Sequence, residues 1–153
     1  MSPMAVPARL GAALSLPEVV TVPDKRADKR ADKRADPRAV LGRWGEDLAV
    51  EHLQADGFQV LARNWRCRDG ELDVVARDGA VVVFVEVKTR SGTAFGVPAE
   101  AVGPVKARRI RGLALRWLAD HRPPGAGELR FDVISIVRPR GAVPVVQHLR
   151  GAF

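Results

Sequence analysis

The stretch GELDVVARDGAVVVFVEVKTR, residues 70 to 90, constrains the fold more than any other part of the chain. Two valine-rich runs, 71–76 and 81–88, flank an Arg-Asp-Gly-Ala segment. An Asp-Gly pair between two such runs is a strong hairpin signal, because both residues tolerate the positive φ that tight hairpin turns need. With Asp78 and Gly79 as the loop, opposed positions sum to 157, so Asp73 faces Phe84 and Glu71 faces Glu86. Opposed residues share a face of the sheet. Glu71, Asp73, Glu86 and Lys88 therefore project the same way, unless a bulge or a longer loop changes the parity. The second run reads as a buried strand that nonetheless carries Glu86 and Lys88 near its end. An uncompensated charge in a low-dielectric interior costs roughly several kcal/mol, so a partner or a metal is expected.

The other elements are read around this hairpin. Asp36 followed by Pro37 is a helix start, an N-cap residue before proline at the first helical position. The helix runs to about Asp56, with Gly57 as its stop. Leu41, Trp44, Leu48, Ala49 and Leu53 fall on one face, and Glu46 sits on its border. Residues 58–66 read as a first strand and 67–70 as a loop. Residues 91–103 form a glycine- and proline-bearing connection. A second helix runs from Pro104 to about Asp120, with Ile110, Leu113, Ala114, Trp117 and Leu118 as its buried stripe. Residues 129–137 and 143–149 read as two last strands. The order α-β-β-β-α-β-β predicts an α/β fold, a mixed sheet with helices packed on it.

Ahead of the domain, residues 24–39 repeat a four-residue unit, DKRADKRADKRADPRA. Its low complexity and lack of large apolar residues argue against a packed core, so residues 1–38 are read as a disordered basic tail and 39–153 as the domain. The tail carries 8 basic and 5 acidic residues and the remainder 17 and 13, so the domain alone is moderately basic within a total of +7. That balance favours an anionic partner. The tail has no apolar face, which ranks a membrane surface last. No apolar run approaches the roughly 18 residues of a membrane span. The first 18 residues, interrupted by Pro3, Pro7 and Pro17, read as neither signal peptide nor anchor. A single cysteine, Cys67, allows no intrachain disulfide and points to a reducing, cytoplasmic setting.

Three acids and a lysine then stand out: Glu46 on a helix, Asp73 on one strand, Glu86 and Lys88 on the next. Carboxylates gathered on one face repel one another unless a cation intervenes. A hard divalent ion, Mg²⁺ or Mn²⁺, suits oxygen ligands. Such an ion can activate water and neutralise charge on a phosphoryl group. Lys88, one strand period from Glu86, is placed to serve the water or the developing negative charge. Together these are the minimum chemistry of phosphodiester hydrolysis.

The segments GRWGEDLA and GELDVVARDGAVVVFVEVKTR, with RFDVISI and the closing GAF, resemble the YraN-like family of small, largely uncharacterised bacterial proteins. That family is similar to restriction-endonuclease-like nucleases of the PD-(D/E)xK type, including archaeal Holliday junction resolvases. The resemblance covers about residues 39 to 153. It implies a restriction-endonuclease-like fold and a metal-dependent endonuclease acting on DNA, with branched or damaged forms as candidate substrates. The pattern places its helix glutamate on Glu46, its metal-binding aspartate on Asp73 and its Glu-x-Lys pair on Glu86 and Lys88. Asp73 and Glu86 would hold the metal. Leu72 stands where the motif has proline. A fold does not establish an activity, and a non-catalytic nucleic-acid-binding module is the alternative. Related resolvases act as dimers, which makes a homodimer a candidate assembly.

Other residues are read more plainly. Glu71 fits two roles, auxiliary metal ligand or ion pair with Arg130 or Arg66. Asp132, inside an apolar strand, is expected to pair with a buried arginine. Arg43, Lys106, Arg108 and Arg109 are the candidate phosphate contacts, with Arg111 and Arg116 also off the buried stripe. A solvated face explains such a charge run as well. Trp44 and Trp117 are core residues by position, and Trp65 fits either packing or base stacking. His52, His121 and His148 are scattered and show no metal-ligand spacing. Cys67 has no catalytic context.

Overall fold

A computed structural model describes residues 35–92 and 102–153. Seven elements follow in chain order: α1 (Pro37–Ala55), β1 (Gln59–Cys67), β2 (Gly70–Asp78), β3 (Val81–Ser91), α2 (Pro104–His121), β4 (Glu128–Arg138) and β5 (Val145–Leu149). The expected α-β-β-β-α-β-β order is present, and the architecture is restriction-endonuclease-like. The repeat-bearing residues up to 34 and the connection 93–101 lie outside the described residues.

The strands form one sheet in the order β1-β2-β3-β4-β5. All neighbours are antiparallel except β3 and β4, which run parallel. Parallel neighbours need a crossover connection, and α2 lies within it. One helix packs on each face. Ala49, Val50 and Leu53 of α1 meet Val74, Ala76, Val83, Val85, Ile134 and Ile136. Ile110, Leu113, Ala114 and Trp117 of α2 meet Val75, Val82, Phe84 and Val133 on the other side. This explains the unbroken apolar run of β3: its side chains are buried on both faces.

Local signals act as their chemistry dictates. The Asp36 carboxylate accepts the Arg38 backbone N–H, Pro37 opens α1, and Gly57 adopts a φ of 86° just past its end. Gly45 and Val50, outside the face expected of α1, are buried, whereas Trp44 and Leu48 are only partly covered. The reason is a close approach. A Cβ at Gly45 would lie 1.8 Å from Thr89 Oγ1, so this glycine sets how near α1 comes to β3.

The hairpin differs from its sequence reading by one step of two. Asp78 pairs with Val81 and Val75 with Phe84, so Gly79 and Ala80 form the turn and opposed positions sum to 159, not 157. Asp78 prolongs β2 instead of turning, and its carboxylate accepts a bond from Arg130. A shift of two preserves the parity of the paired region, which ends at Val74 and Val85 with Asp73 and Glu86 just beyond it.

Asp132, fully buried on β4, is the centre of a polar knot. Arg130 binds both its oxygens at 2.9 and 3.0 Å, the Gly151 backbone N–H reaches Oδ1 at 2.9 Å, and His148 Nε2 lies 2.8 Å from Oδ2. The expected arginine partner is Arg130, two residues back on the same strand. Burial alone would raise the Asp132 carboxyl, but the bonds from His148, Arg130 and Gly151 outweigh it and hold it below the usual range.

Candidate active site

The ladder between β2 and β3 ends at Val74 and Val85. Beyond it β2 stays paired with β1, and β3 with β4. Asp73 is the first residue of β2 past the last pair, and its carboxylate accepts the Val87 N–H at 2.9 Å, replacing the backbone acceptor that the ladder no longer supplies. Glu86 is the first residue of β3 past the same point. Two carboxylates thus stand where the two strands part.

The turn of β2 at this point has a counterpart on β1. Arg63 pairs with Val74 and Trp65 with Leu72, which sets Asn64 opposite Asp73. Arg63 bonds Asp47 of α1 and Val74 packs in the α1 cluster, while Trp65 and Leu72 pack in the α2 cluster. Regular alternation would keep residues 63 and 65, or 72 and 74, on one face. The switch falls at Asn64, whose φ is 48°, a left-handed conformation that asparagine tolerates better than most side chains.

A groove of about 630 Å³ opens beside these carboxylates, lined by Glu71, Asp73 and Glu86 on the sheet and by Lys106, Arg109 and the first turn of α2. Lys106 donates to Glu86 Oε1 across it. Glu86 is thus compensated by an ammonium from α2, and Lys106, grouped by sequence with the phosphate contacts, is engaged with a carboxylate. The N-terminal end of α2 lines the groove and, among the described residues, has no side-chain cap and no acid in its first turn, which leaves its positive dipole end beside the carboxylates.

Asp73 is pushed up to about 7. Burial is the main cause, with the neighbouring Glu86 charge next; the Val87 bond opposes them, Glu46 adds a further raise, and Lys106 lowers it. Glu46, half-buried on α1, is therefore within electrostatic reach of Asp73 although it does not line the groove. Lys88 is half-buried two residues beyond Glu86 and outside the lining set.

Glu71 pairs with Arg66 at 3.0 Å and also lines the groove. A smaller hollow of about 350 Å³ adjoins it, bounded by Arg66, Arg68, Gly70, Glu71 and Arg109. Arg109 lies over Gly70, where a Cβ would come within 2.8 Å of its guanidinium, and bonds the Asp69 carbonyl. Arg116 is held by Asp69, and Arg111 lies 5.6 Å from the Phe131 ring centroid. Arg43 and Arg108 are exposed and line neither hollow. Trp117 is core, Trp44 lies under the Arg138 guanidinium, and Trp65 stands edge-on to His121 within the α2 cluster. Cys67 packs there too.

The structure thus brings Asp73 and Glu86 together and sets Glu46 and Lys88 at the border. Sequence reading did not assign Lys106 its carboxylate partner, nor Asn64 and Gly45 a role. A glycine inside a helical pattern is a packing signal; nothing in the β1 pattern marks Asn64 beyond its residue type.

Among the described residues, the group of three His, Cys, Asp or Glu donors that closes to within 4.8 Å is His52, Asp56 and His148. The acids of the groove do not form such a group. No helix among the described residues is long and apolar enough to cross a membrane.

Residues 45–136, from the α1 glycine to β4, match the model of the Uncharacterised protein family UPF0102. A UPF0102 protein of Parafrankia sp. (strain EAN1pec) is 59% identical over 113 residues, which is 74% of this chain and 95% of that relative. One from Frankia alni is 60% identical over 113 residues, covering 74% and 93%. One from Acidothermus cellulolyticus is 50% identical over 122 residues, covering 74% and 92%. The matched span contains the whole hairpin and every acid of the groove, and the chain belongs to the UPF0102, or YraN-like, family.

Proposed function

We propose that this protein is a metal-dependent endonuclease that hydrolyses phosphodiester bonds in DNA at the groove between β2, β3 and α2. The observation that carries the reading is the meeting of Asp73 and Glu86 where the β2–β3 ladder ends, with a lysine and a helix N-terminus on the opposite wall. The donor set fits Mg²⁺ or Mn²⁺: both groups offer hard oxygens, and a cation between them would offset both the burial and the Glu86 charge that raise Asp73. When bound, such an ion supplies activation of water and neutralisation of phosphoryl charge.

The chain's own residues supply the rest. Asp73 and Glu86 orient the ion, and the Val87 N–H fixes the Asp73 carboxylate. Lys106 holds Glu86 in the free protein and turns to the phosphate once Glu86 is engaged. Lys88 stands beyond Glu86 on the same strand to hold the attacking water or the developing charge. Glu46 adds negative charge behind Asp73 and raises the preference of the pair for a dication. Arg66, Arg68 and Arg109 offer guanidinium groups to the phosphates of the bound strand.

The test is a cleavage assay of the full chain with Mg²⁺ and with Mn²⁺ on single-stranded, duplex, flapped and four-way-junction DNA and on one RNA, with Glu86→Ala alongside. Metal-dependent products that disappear in Glu86→Ala support the enzyme and identify its substrate shape. The second reading, a nucleic-acid-binding module without turnover, draws on the Lys106–Glu86 pair, which occupies a metal-binding oxygen. Salt-dependent binding with no products under either ion would favour it.

A further inference from the structure

On the face of the sheet away from the groove, two residues at the end of α1 meet a third from the far end of the chain. His52 and Asp56 lie in the last turn and C-cap of α1, and His148 lies on β5. Their ligand atoms come within 4.8 Å of one another. The His52 and His148 rings meet edge-on at 5.9 Å between centroids, and His52 Nε2 is 3.6 Å from Asp56 Oδ2.

Two unpaired nitrogens make this more than a packing cluster. His52 Nε2 and His148 Nδ1 are both buried, and neither has a hydrogen-bond partner among the described residues. The His148 side chain is only 7% exposed. A buried polar nitrogen without a partner costs about 1–3 kcal/mol, and here two of them stand in one cluster. The state of His148 follows from its other nitrogen. Both Asp132 oxygens already accept from the Arg130 guanidinium, so in the 2.8 Å contact the acceptor is again the carboxylate and His148 Nε2 is the donor. Nδ1 is then left with a lone pair. A histidine whose far nitrogen donates to a buried carboxylate is the arrangement that fixes tautomer and ring orientation in metal-binding histidines.

We propose that His52, Asp56 and His148 form a divalent transition-metal site of the Zn²⁺ class, with Asp132 as the carboxylate behind His148. Two imidazole nitrogens and one carboxylate oxygen suit a borderline ion, not Mg²⁺. A tetrahedral ion holds its donors roughly 3.3 Å apart at Zn–N bonds of about 2.0 Å. The His52–Asp56 pair is already near that spacing, and these two side chains, 30% and 45% exposed, have room to close the remainder. The fourth position is left to water, since the Asp56 side chain opens to solvent. The ion would clamp the end of α1 to the edge strand β5, two elements with no backbone hydrogen bonds between them. It would be a second site, chemically distinct from the oxygen-donor groove on the α2 face, and its existence does not depend on nuclease activity.

The experiment is titration of the tag-free, chelator-stripped full chain with Co²⁺, read by visible d–d bands, followed by displacement with Zn²⁺. It is run on wild type, on Asp73→Ala/Glu86→Ala, and on His52→Gln and Asp56→Asn, near-isosteric changes at a half-buried and an exposed position, with far-UV circular dichroism checking each fold. The expected result is one equivalent of Co²⁺ with tetrahedral band intensity, displaced by Zn²⁺ and retained in Asp73→Ala/Glu86→Ala. Affinity should fall about tenfold or more in both His52→Gln and Asp56→Asn. No uptake by wild type, loss of uptake in the groove variant, or undiminished affinity in either His52→Gln or Asp56→Asn overturns the proposal.

Discussion

Asp73 couples the candidate site to pH. Its pKa is raised from the ordinary carboxylate value to about 7, so the folded chain holds a proton there that the unfolded chain releases. The sign follows from linkage: the folded state binds more protons, so the contribution to stability is most favourable below about pH 4 and declines until about pH 7. In chelator, the wild-type Tm relative to that of Asp73→Asn should fall over this window and level off above it. Asp132 works in the opposite sense. Its pKa is held down, so its stabilisation is complete at neutral pH and is lost as pH falls through and below the ordinary carboxylate range. Removing it leaves the Arg130 guanidinium and His148 without their shared acceptor. Asp132→Ala should cost about 3–5 kcal/mol in denaturant unfolding.

At the scale of elements, two positions set the geometry of the acids. Asn64 takes the left-handed backbone opposite Asp73, where both strands change the face they present. Alanine there should lose about 1 kcal/mol of stability, while Asn64→Gly should keep the fold at wild-type stability. If cleavage is established, Asn64→Ala should also lower kcat through a misaimed Asp73, measured on the best substrate of the panel. Gly45 admits α1 close to Thr89, so Gly45→Val should push the helix outward, lower Tm and weaken the influence of Glu46 on Asp73. The elements themselves were legible because each carries its own chemistry: Asp36-Pro37, the i, i+3, i+4 stripe of α2, the doubly buried run of β3. The turn was misplaced by one residue because Asp78 suits a turn by type, yet here gains more from Arg130. The charge pattern marked Asp73 and Glu86 by parity, and the family resemblance fell on the same two residues. Lys106 and the His52–His148 meeting were not legible, because they depend on which helix face docks on which strand.

For the whole molecule, the acids lie in a groove whose rim is basic, within a chain of formal charge +7. If that rim carries the phosphate contacts, log K for a short DNA should fall against log salt with a slope of about −3 for three cations, and Arg109→Ala should reduce it by about one. Strand order equals chain order, and Asp73 and Glu86 belong to a single hairpin. A hairpin closes in about microseconds from local contacts, whereas the parallel β3–β4 pairing must wait for a long loop to close around α2. That ordering predicts that the two carboxylates meet before the crossover docks and brings Lys106 to Glu86. Docking of α2 would then relieve a repulsion that the hairpin had already created.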